Sequence, residues 1–267
     1  MKTTGLASAK LKLARAAKHI KSLKRSIAEY AASRPYKITG AKTQGNAKKL
    51  TIPREPPRDI SILAGEALYQ MRSALDHLAF ELVKSNPMRI SLLADWGERC
   101  EFPLFRSLPR KGNPPVALKT PIPYNVLAKN LPGISKEAYA FIESVQPYHR
   151  KTAINTALAF LARLSNIDKH RHLNVVYPRV RESHAIRFAS GLSSRGHQAL
   201  DRGAKLPPET GWTESDRPVY MRRCFRAFVA FKERSLEGAA TLPADYLLEL
   251  ILKELQAVII PAFEKLI

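Results

Sequence analysis

GEALYQMRSALDHLAFEL, which spans Gly65 to Leu82, has the residue spacing of an amphipathic helix. Apolar side chains recur every three or four positions, which places them on one face of a helix. Together with the residue just before the stretch, that face consists of Ala64, Leu68, Met71, Leu75, Leu78 and Leu82. Asp59 is a favourable N-cap residue and Asn86-Pro87 stops a helix, so the pattern predicts a helix over residues 59–84 within a bundle.

The opposite side of this helix mixes charged and aromatic residues. Tyr69 and Phe80 lie among Arg72, Asp76 and His77, so we expect the helix to contact protein on both sides. A charge buried there without a partner would cost several kcal/mol, and Arg72 and Asp76, four apart, are expected to pair. Arg72 and His77 are five apart, which rotates them by about 140° on an ideal helix. A site that uses both requires a kink or a two-fold dimer whose copies face a common cleft.

A second polar cluster occurs at the end of a later helical pattern, in RLSNIDKHRHL. Arg163 and His170 are seven apart and lie within about 20° of one face, whereas Asp168 and His172 fall nearer the apolar side. Two predicted helices therefore each carry arginine, aspartate and histidine. We expect the NIDKHRHL segment to be the partner of the cluster around Arg72.

Three further segments have helical patterns, at residues 6–31, 135–170 and 243–267. The first has an apolar stripe that repeats every seven residues and a strongly basic opposite side. In the second, Ser135 is predicted to cap a helix that ends before Pro147, and another helix follows from about residue 152 to residue 170. The first and last helices are expected to pack together.

Proline and strand patterns interrupt the helices. Residues 101–133 contain seven prolines, too many for a regular element, and predict a long loop that either packs as a lid or forms a mobile insertion. A short hairpin is predicted from 36–38 and 49–52. Strand patterns lie at 173–177, 184–188 and 219–231. The expected fold class is α+β, a mainly helical bundle with a small antiparallel β-sheet inserted over about 173–231, in one domain over 1–267.

The charge balance favours polyanionic partners. The chain has 267 residues, of which 44 are Lys or Arg and 23 are Asp or Glu, giving a formal net charge of +21. Such an excess is typical of proteins that bind nucleic acid or another polyanion. No apolar run approaches the roughly 20 residues of a spanning helix, so no membrane segment is expected. Cys100 and Cys224 lack metal-type spacing and are expected to be reduced thiols in the cytoplasm.

The two polar clusters allow three interpretations. In the first interpretation they form a buried network that holds the helices in register, with Asp76 and Asp168 pairing arginines or orienting histidines. In the second they bind a metal through His77, His170, His172 and an aspartate, although no HExxH-type spacing is present. In the third they cleave RNA by acid-base chemistry, in which histidine moves a proton, arginine holds the phosphate and the 2′-hydroxyl is the nucleophile.

Arg72-Ser-Ala-Leu-Asp-His77 resembles the motif of HEPN-domain ribonucleases, an arginine and a histidine four to six residues apart on a helix of a helical bundle. The resemblance implies a metal-independent endoribonuclease whose cleft forms at a homodimer interface, often in toxin-antitoxin or phage-defence systems. It implies Arg72 and His77 as the catalytic pair and Asp76 as an accessory residue. Ser73 follows the arginine, where the motif often has Asn, Asp or His. The segments GEALYQMRSALDHLAFEL, FPLF and NIDKHRHL are also similar to uncharacterised bacterial proteins.

The leading expectation is a HEPN-like ribonuclease that needs no metal or other cofactor. Its catalytic residues would be Arg72, His77 and Asp76, and its partners RNA, a second copy of the chain and an antitoxin protein. A second candidate site consists of Arg163, Asp168, His170 and His172. The alternatives are a non-catalytic RNA-binding or protein-interaction module with a structural Asp/Arg/His network, and a metal-binding helical-bundle hydrolase.

Overall fold

The described part of this computed structural model is mostly helical. It comprises residues 5–33, 35, 37–39, 49–51, 54–85, 100–105, 110–111, 116–117, 122–127, 129–149, 156–170, 176–187, 220–231 and 242–267. The chain divides into two compact units, one of residues 1–26, 57–176 and 230–267, the other of residues 27–56 and 177–229. A single domain over the whole chain stays a prediction. Within the described ranges, no helix has the length and apolar character needed to cross a membrane.

Seven α-helices and six strands can be assigned among these residues. The helices are α1 (Gly5–Ala32), α2 (Arg58–Lys84), α3 (Tyr124–Leu127), α4 (Lys136–Ser144), α5 (Ala157–His170), α6 (Ala244–Glu254) and α7 (Ile260–Leu266). A 3-10 turn occupies Pro147–His149, and a π-helical turn, Leu255–Ile259, joins α6 to α7. The strands are β1 (Lys37–Thr39), β2 (Lys49–Thr51), β3 (Arg110–Lys111), β4 (Val116–Ala117), β5 (Val176–Arg187) and β6 (Tyr220–Phe231).

The larger unit is built around α2, which packs against α5 and α6. The part of α1 before Ile27 runs antiparallel to α2, because Gly5 lies against Glu81 and His19 lies against Glu66. The apolar stripe of α1, which repeats every seven residues, is buried in this part of the helix, as the sequence predicts. The buried stripe residues of this part are Ala9, Leu13, Ala16, Ile20 and Leu23. Two ion pairs also tie α1 to the C-terminal helices, Lys10 to Glu264 and Lys24 to Glu249, each at 2.6 Å.

Helix ends agree with the sequence patterns at one predicted cap and differ at another. Ser135 caps α4, and its Oγ accepts a hydrogen bond from the Ala138 N–H at 3.1 Å. The prediction that Asp59 caps α2 is wrong: the N-cap is Pro57, which has no side chain able to accept a hydrogen bond. Asp59 instead lies in the first turn, where its carboxylate faces the positive end of the helix dipole. Helix α5 begins at Ala157; the start expected near 152 lies outside the described residues.

The proline-rich segment 101–133 contains short regular elements, so the expectation that it has none is wrong. Strands β3 and β4 pair antiparallel, with Arg110 opposite Ala117, and α3 forms one helical turn. Each fits between two prolines, because a two-residue strand or a single turn needs few backbone donors. The polar groups of Gln146, which is 1% exposed, hold the start of the segment: its Nε2 donates to Pro103 O at 2.9 Å and its Oε1 accepts from Phe105 N at 2.8 Å.

The C-terminal segment 243–267 is not one regular helix as predicted. A π turn precedes Pro261, because proline has no N–H to donate and its ring clashes with the carbonyl four residues earlier. The apolar face continues through the turn, and Leu255, Ile259 and Phe263 stay buried. The irregularity therefore costs a hydrogen bond and not the packing.

The strands expected in the second unit are present in altered form. Strands β1 and β2 form the predicted antiparallel hairpin, with Ile38 opposite Leu50. Strands β5 and β6 are neighbours in a two-stranded sheet. Separate strands at 173–177 and 184–188 were expected, but β5 is one continuous strand that includes Pro178.

Candidate functional site

A close crossing of α2 and α5 forms the base of the candidate site. At Gly65, a Cβ atom would lie 2.6 Å from Asp168 Oδ1 and 2.9 Å from Oδ2, closer than real Cβ contacts allow. Glycine lets the Asp168 carboxylate rest on the backbone of α2, and any other side chain at this position would displace that carboxylate. The sequence pattern did not single out Gly65, because a glycine inside a helix shows its packing role only when its neighbour is known.

Beside this crossing is an open cleft of about 650 Å³ between α2, α5 and the segment 101–105. Its volume is within the range of ligand-binding sites, about 300–1,000 Å³. The charged residues that line it are Arg72, Asp76, Glu101, Arg163, Asp168 and Lys169. The clusters on α2 and α5 therefore meet, as expected from the sequence. Three cations and three carboxylates in one cleft provide both anion-binding groups and proton acceptors.

Arg72 and Asp76 clamp the backbone of Phe102. Arg72 Nη2 donates to Phe102 O at 2.8 Å, and Phe102 N donates to Asp76 Oδ1 at 3.0 Å. The two side chains also pair with each other, Nη2 to Oδ1, at 3.2 Å, as their spacing predicts. Glu101 lies 3.9 Å from the same guanidinium. The clamp fixes one wall of the cleft, and the Phe102 ring packs on Phe263 with ring centroids 6.2 Å apart.

Burial raises the pKa of the Asp76 carboxyl above its ordinary value of 3.8. Arg72, the Phe102 N–H and Lys169 oppose this shift, and Glu101 adds to it. The clamp therefore stabilises the ionised form only in part. Asp76 is a carboxyl group at a cleft wall whose proton affinity is increased, which is a property of general acids and bases.

His77 does not reach this cleft. Its Nδ1 lies 2.7 Å from Ser8 Oγ, on the side of α2 that packs against α1. Burial and, to a smaller degree, Lys12 lower the pKa of His77 below 6.5, while Asp76 opposes the shift. The implied catalytic pair, Arg72 and His77, is thus divided between two sides of α2 within one chain, as the angle of about 140° between them requires.

The ridge between these two sides is exposed. Tyr69 is 60% and Phe80 37% exposed, and Ile62 lies on the same outward line. These side chains are therefore only partly covered on the outward side of α2. The contacts occur on its flanks instead, with α1 on the His77 side and the segment 101–105 on the Arg72 side.

The second predicted cluster is described in part. Arg163 and Asp168 line the cleft with Arg72 and Asp76, whereas the His170 side chain and His172 lie outside the described residues. Among the side chains that are described, no three His, Cys, Asp or Glu residues are grouped so as to hold a metal ion.

A smaller pocket of about 390 Å³ adjoins the cleft across α2, and the two share Tyr69 and Asp168. Here α1 contributes Arg15 and His19. Arg15 Nε donates to His19 Nε2 at 3.1 Å, and His19 Nδ1 lies 2.8 Å from Glu66 Oε2. Sequence reasoning missed this pocket, since α1 carries basic residues along its whole length and nothing distinguishes these two before α2 is placed.

Comparison with known proteins adds no further constraint: no protein-family model, curated protein or solved structure matches the chain.

Proposed function

We propose that the protein is a HEPN-like endoribonuclease that works without a metal ion. The observation that carries the proposal is an open cleft into which α2 and α5 each bring an arginine and an aspartate. The net charge of +21 supports RNA as the substrate, because a basic protein concentrates a polyanion at its surface. We also propose that the helices form a HEPN-like bundle and that β5 and β6 pair in the antiparallel sense.

In the proposed reaction the 2′-hydroxyl of RNA attacks the adjacent phosphorus and the 5′-oxygen leaves. Arg72, Arg163 and Lys169 hold the phosphate and stabilise the charge that grows on its oxygens. A base takes the 2′-hydroxyl proton and an acid gives one to the leaving oxygen, forming a 2′,3′-cyclic phosphate and a 5′-hydroxyl. Asp76 is the proposed proton carrier within one chain.

His77 takes part only if a second copy of the chain supplies it. The exposed ridge of α2 runs between Arg72 and His77, and two-fold pairing about its Phe80 end would bring Arg72 of one copy toward the histidine of the other while leaving Tyr69 uncovered. We therefore propose a homodimer. Its proposed setting is the cytoplasm, as a toxin or phage-defence effector that an antitoxin protein restrains.

The test is cleavage of labelled single-stranded RNA by the purified protein in EDTA. We expect products with 2′,3′-cyclic phosphate ends, and a loss of rate of about 100-fold or more for His77→Ala with the helical circular-dichroism spectrum unchanged. His149→Ala is the matched control, because His149 lines neither pocket. Full activity of the His77→Ala variant would exclude the dimeric mechanism, and no cleavage by the wild type would exclude the ribonuclease.

A non-catalytic module that binds RNA or a protein is the second candidate function. It is favoured by the bonds of Arg72 and Asp76 to the Phe102 backbone, since both side chains then have a structural role. In that case RNA affinity falls steeply with salt, survives His77→Ala and is accompanied by no cleavage. The metal-binding hydrolase has less support, because His77 lies on the far side of α2 from the cleft that contains Asp168.

A further inference from the structure

Tyr69 is an exposed aromatic side chain at the junction of the two pockets. It is 60% exposed, contributes to the lining of both the cleft and the smaller pocket, and has Lys12 Nζ 5.6 Å from its ring centroid. A large exposed ring on a well-packed helix buries little surface and stabilises the fold little. Its exposure therefore makes it available to a ligand that moves along the groove formed by the two pockets.

Cations lie on both sides of this ring. On the α1 side Arg15 lines the smaller pocket and Lys12 lies beside the ring, and α1 contains no Asp or Glu before Glu29. In the cleft the cations are Arg72, Arg163 and Lys169. Carboxylates are present too: Asp76 pairs with Arg72, and Glu66 with His19. The carboxylates of Glu101 and Asp168 also line the cleft, and Asp168 lines the smaller pocket as well, so the cations beside the ring lie in a groove of mixed charge.

Aromatic rings between cationic groups are the device by which proteins hold single-stranded nucleic acid. Successive phosphates contact the cations, and an unpaired base stacks on the ring, whereas in a duplex the base faces are occupied by their neighbours. Lys12 adds to this arrangement, because a cation beside the ring also attracts a phosphate next to the stacked base. Every base has a flat face, so such a site discriminates strand state more than sequence.

We propose that Tyr69 is a stacking platform for an unpaired base, and that the groove across α2 binds single-stranded RNA in preference to duplex. One phosphate would lie near Lys12 and Arg15, and another in the cleft near Arg72, Arg163 and Lys169. The inference rests on the proposed function for its choice of RNA. It requires only one copy of the chain, because α1, α2 and α5 of a single chain line both pockets.

The experiment measures binding by fluorescence anisotropy with the full chain. The probes are a single-stranded oligoribonucleotide of about 12 nucleotides with 2′-O-methyl groups, which cannot be cleaved, and a duplex of the same length. Tyr69→Ala is compared with Tyr69→Phe, which keeps the ring. Tyr246→Ala is the matched control, because Tyr246 is a 49% exposed tyrosine on α6 that lines neither pocket.

We expect Tyr69→Ala to weaken binding of the single strand about tenfold, Tyr69→Phe and Tyr246→Ala to change it less than twofold, and all three to leave duplex binding unchanged. Wild-type affinity for the single strand in Tyr69→Ala, or equal losses for single strand and duplex, overturns the proposal. Cleavage in EDTA is measured separately on unmodified RNA. Cleavage without a Tyr69 effect rejects only the platform, and a Tyr69 effect without cleavage rejects only the ribonuclease.

Discussion

The charged residues on the two flanks of α2 have different surroundings. On one flank Arg72 and Asp76 bond to the backbone of Phe102 and border an open cleft. On the other flank His77 and Glu81 close onto α1, where Ser8 lies against the histidine and the Gly5 N–H donates to the Glu81 carboxylate at 3.0 Å. The comparison teaches that a motif read along a helix is not a site, since residues five apart face different neighbours.

The largest expected effect comes from breaking the clamp on the cleft flank. Arg72→Met keeps the side-chain volume but removes the guanidinium, which leaves Asp76 partly buried beside Phe102 without its cation. Since hydrogen bonds to charged groups contribute about 1.5–3 kcal/mol, we expect a loss of about 2 kcal/mol in the free energy of unfolding, measured by urea denaturation.

Ser8→Ala is the matching change on the closed flank. It removes a single hydrogen bond to His77 and should cost about 1 kcal/mol. Equal losses in Ser8→Ala and Arg72→Met would mean that the two flanks contribute alike, and the distinction between a clamped cleft wall and an ordinary helix contact would fail.

The next effect concerns the base of the cleft. In an ordinary helix interior, Gly→Ala stabilises by roughly 0.5–1 kcal/mol. At Gly65 the added methyl group meets the Asp168 carboxylate, so we expect a net destabilisation of about 1–2 kcal/mol. Asp168→Ala in the same chain should restore part of this loss. A Gly65→Ala protein more stable than the wild type would show that the Asp168 carboxylate does not rest on the α2 backbone at Gly65.

The smallest effect is in pH dependence, where the two flanks should have opposite signs. The folded-state pKa of Asp76 is raised above 3.8, so its contribution to stability is complete below that pH and is lost as pH rises through the folded pKa. The folded-state pKa of His77 is lowered below 6.5, so its contribution is complete above that pH and is lost as pH falls through the folded pKa.

Urea unfolding of wild type, Asp76→Asn and His77→Gln over a pH series measures both trends. Relative to Asp76→Asn, the wild type should become less stable as pH rises from about 4. Relative to His77→Gln, it should become less stable as pH falls below about 6.5. Slopes of the same sign for both pairs would contradict the assignment of burial as the first cause on each flank.

Periodicity and spacing predicted the parts of the fold that depend on local sequence. The buried stripe of α1, the hairpin of β1 and β2, the Ser135 cap and the Arg72–Asp76 pair are each set by residues close together in the chain. The meeting of the α2 and α5 clusters was also expected, because charged residues on two packed helices need partners.

Features that depend on a distant neighbour could not be predicted in this way. The need for glycine at position 65 depends on the close approach of Asp168, and the hydrogen bond of Arg72 depends on the position of the Phe102 backbone. The exposure of Tyr69 depends on which helices leave the ridge of α2 uncovered. The start of α2 was predicted two residues too late, at Asp59 instead of Pro57, because both residues are compatible with a helix start.

Helix α4 and Gln146 just after it hold the proline-rich segment near its start and again at Ile122. Gln146, just after α4, bonds to Pro103 and Phe105, while Glu143 Oε1 accepts from Ile122 N at 3.0 Å and the Tyr139 hydroxyl donates to Ile122 O. The chain between Phe105 and Ile122 therefore starts and finishes on one support. A shift of α4 would therefore move both ends of this stretch together, including the Phe105 end that borders the cleft.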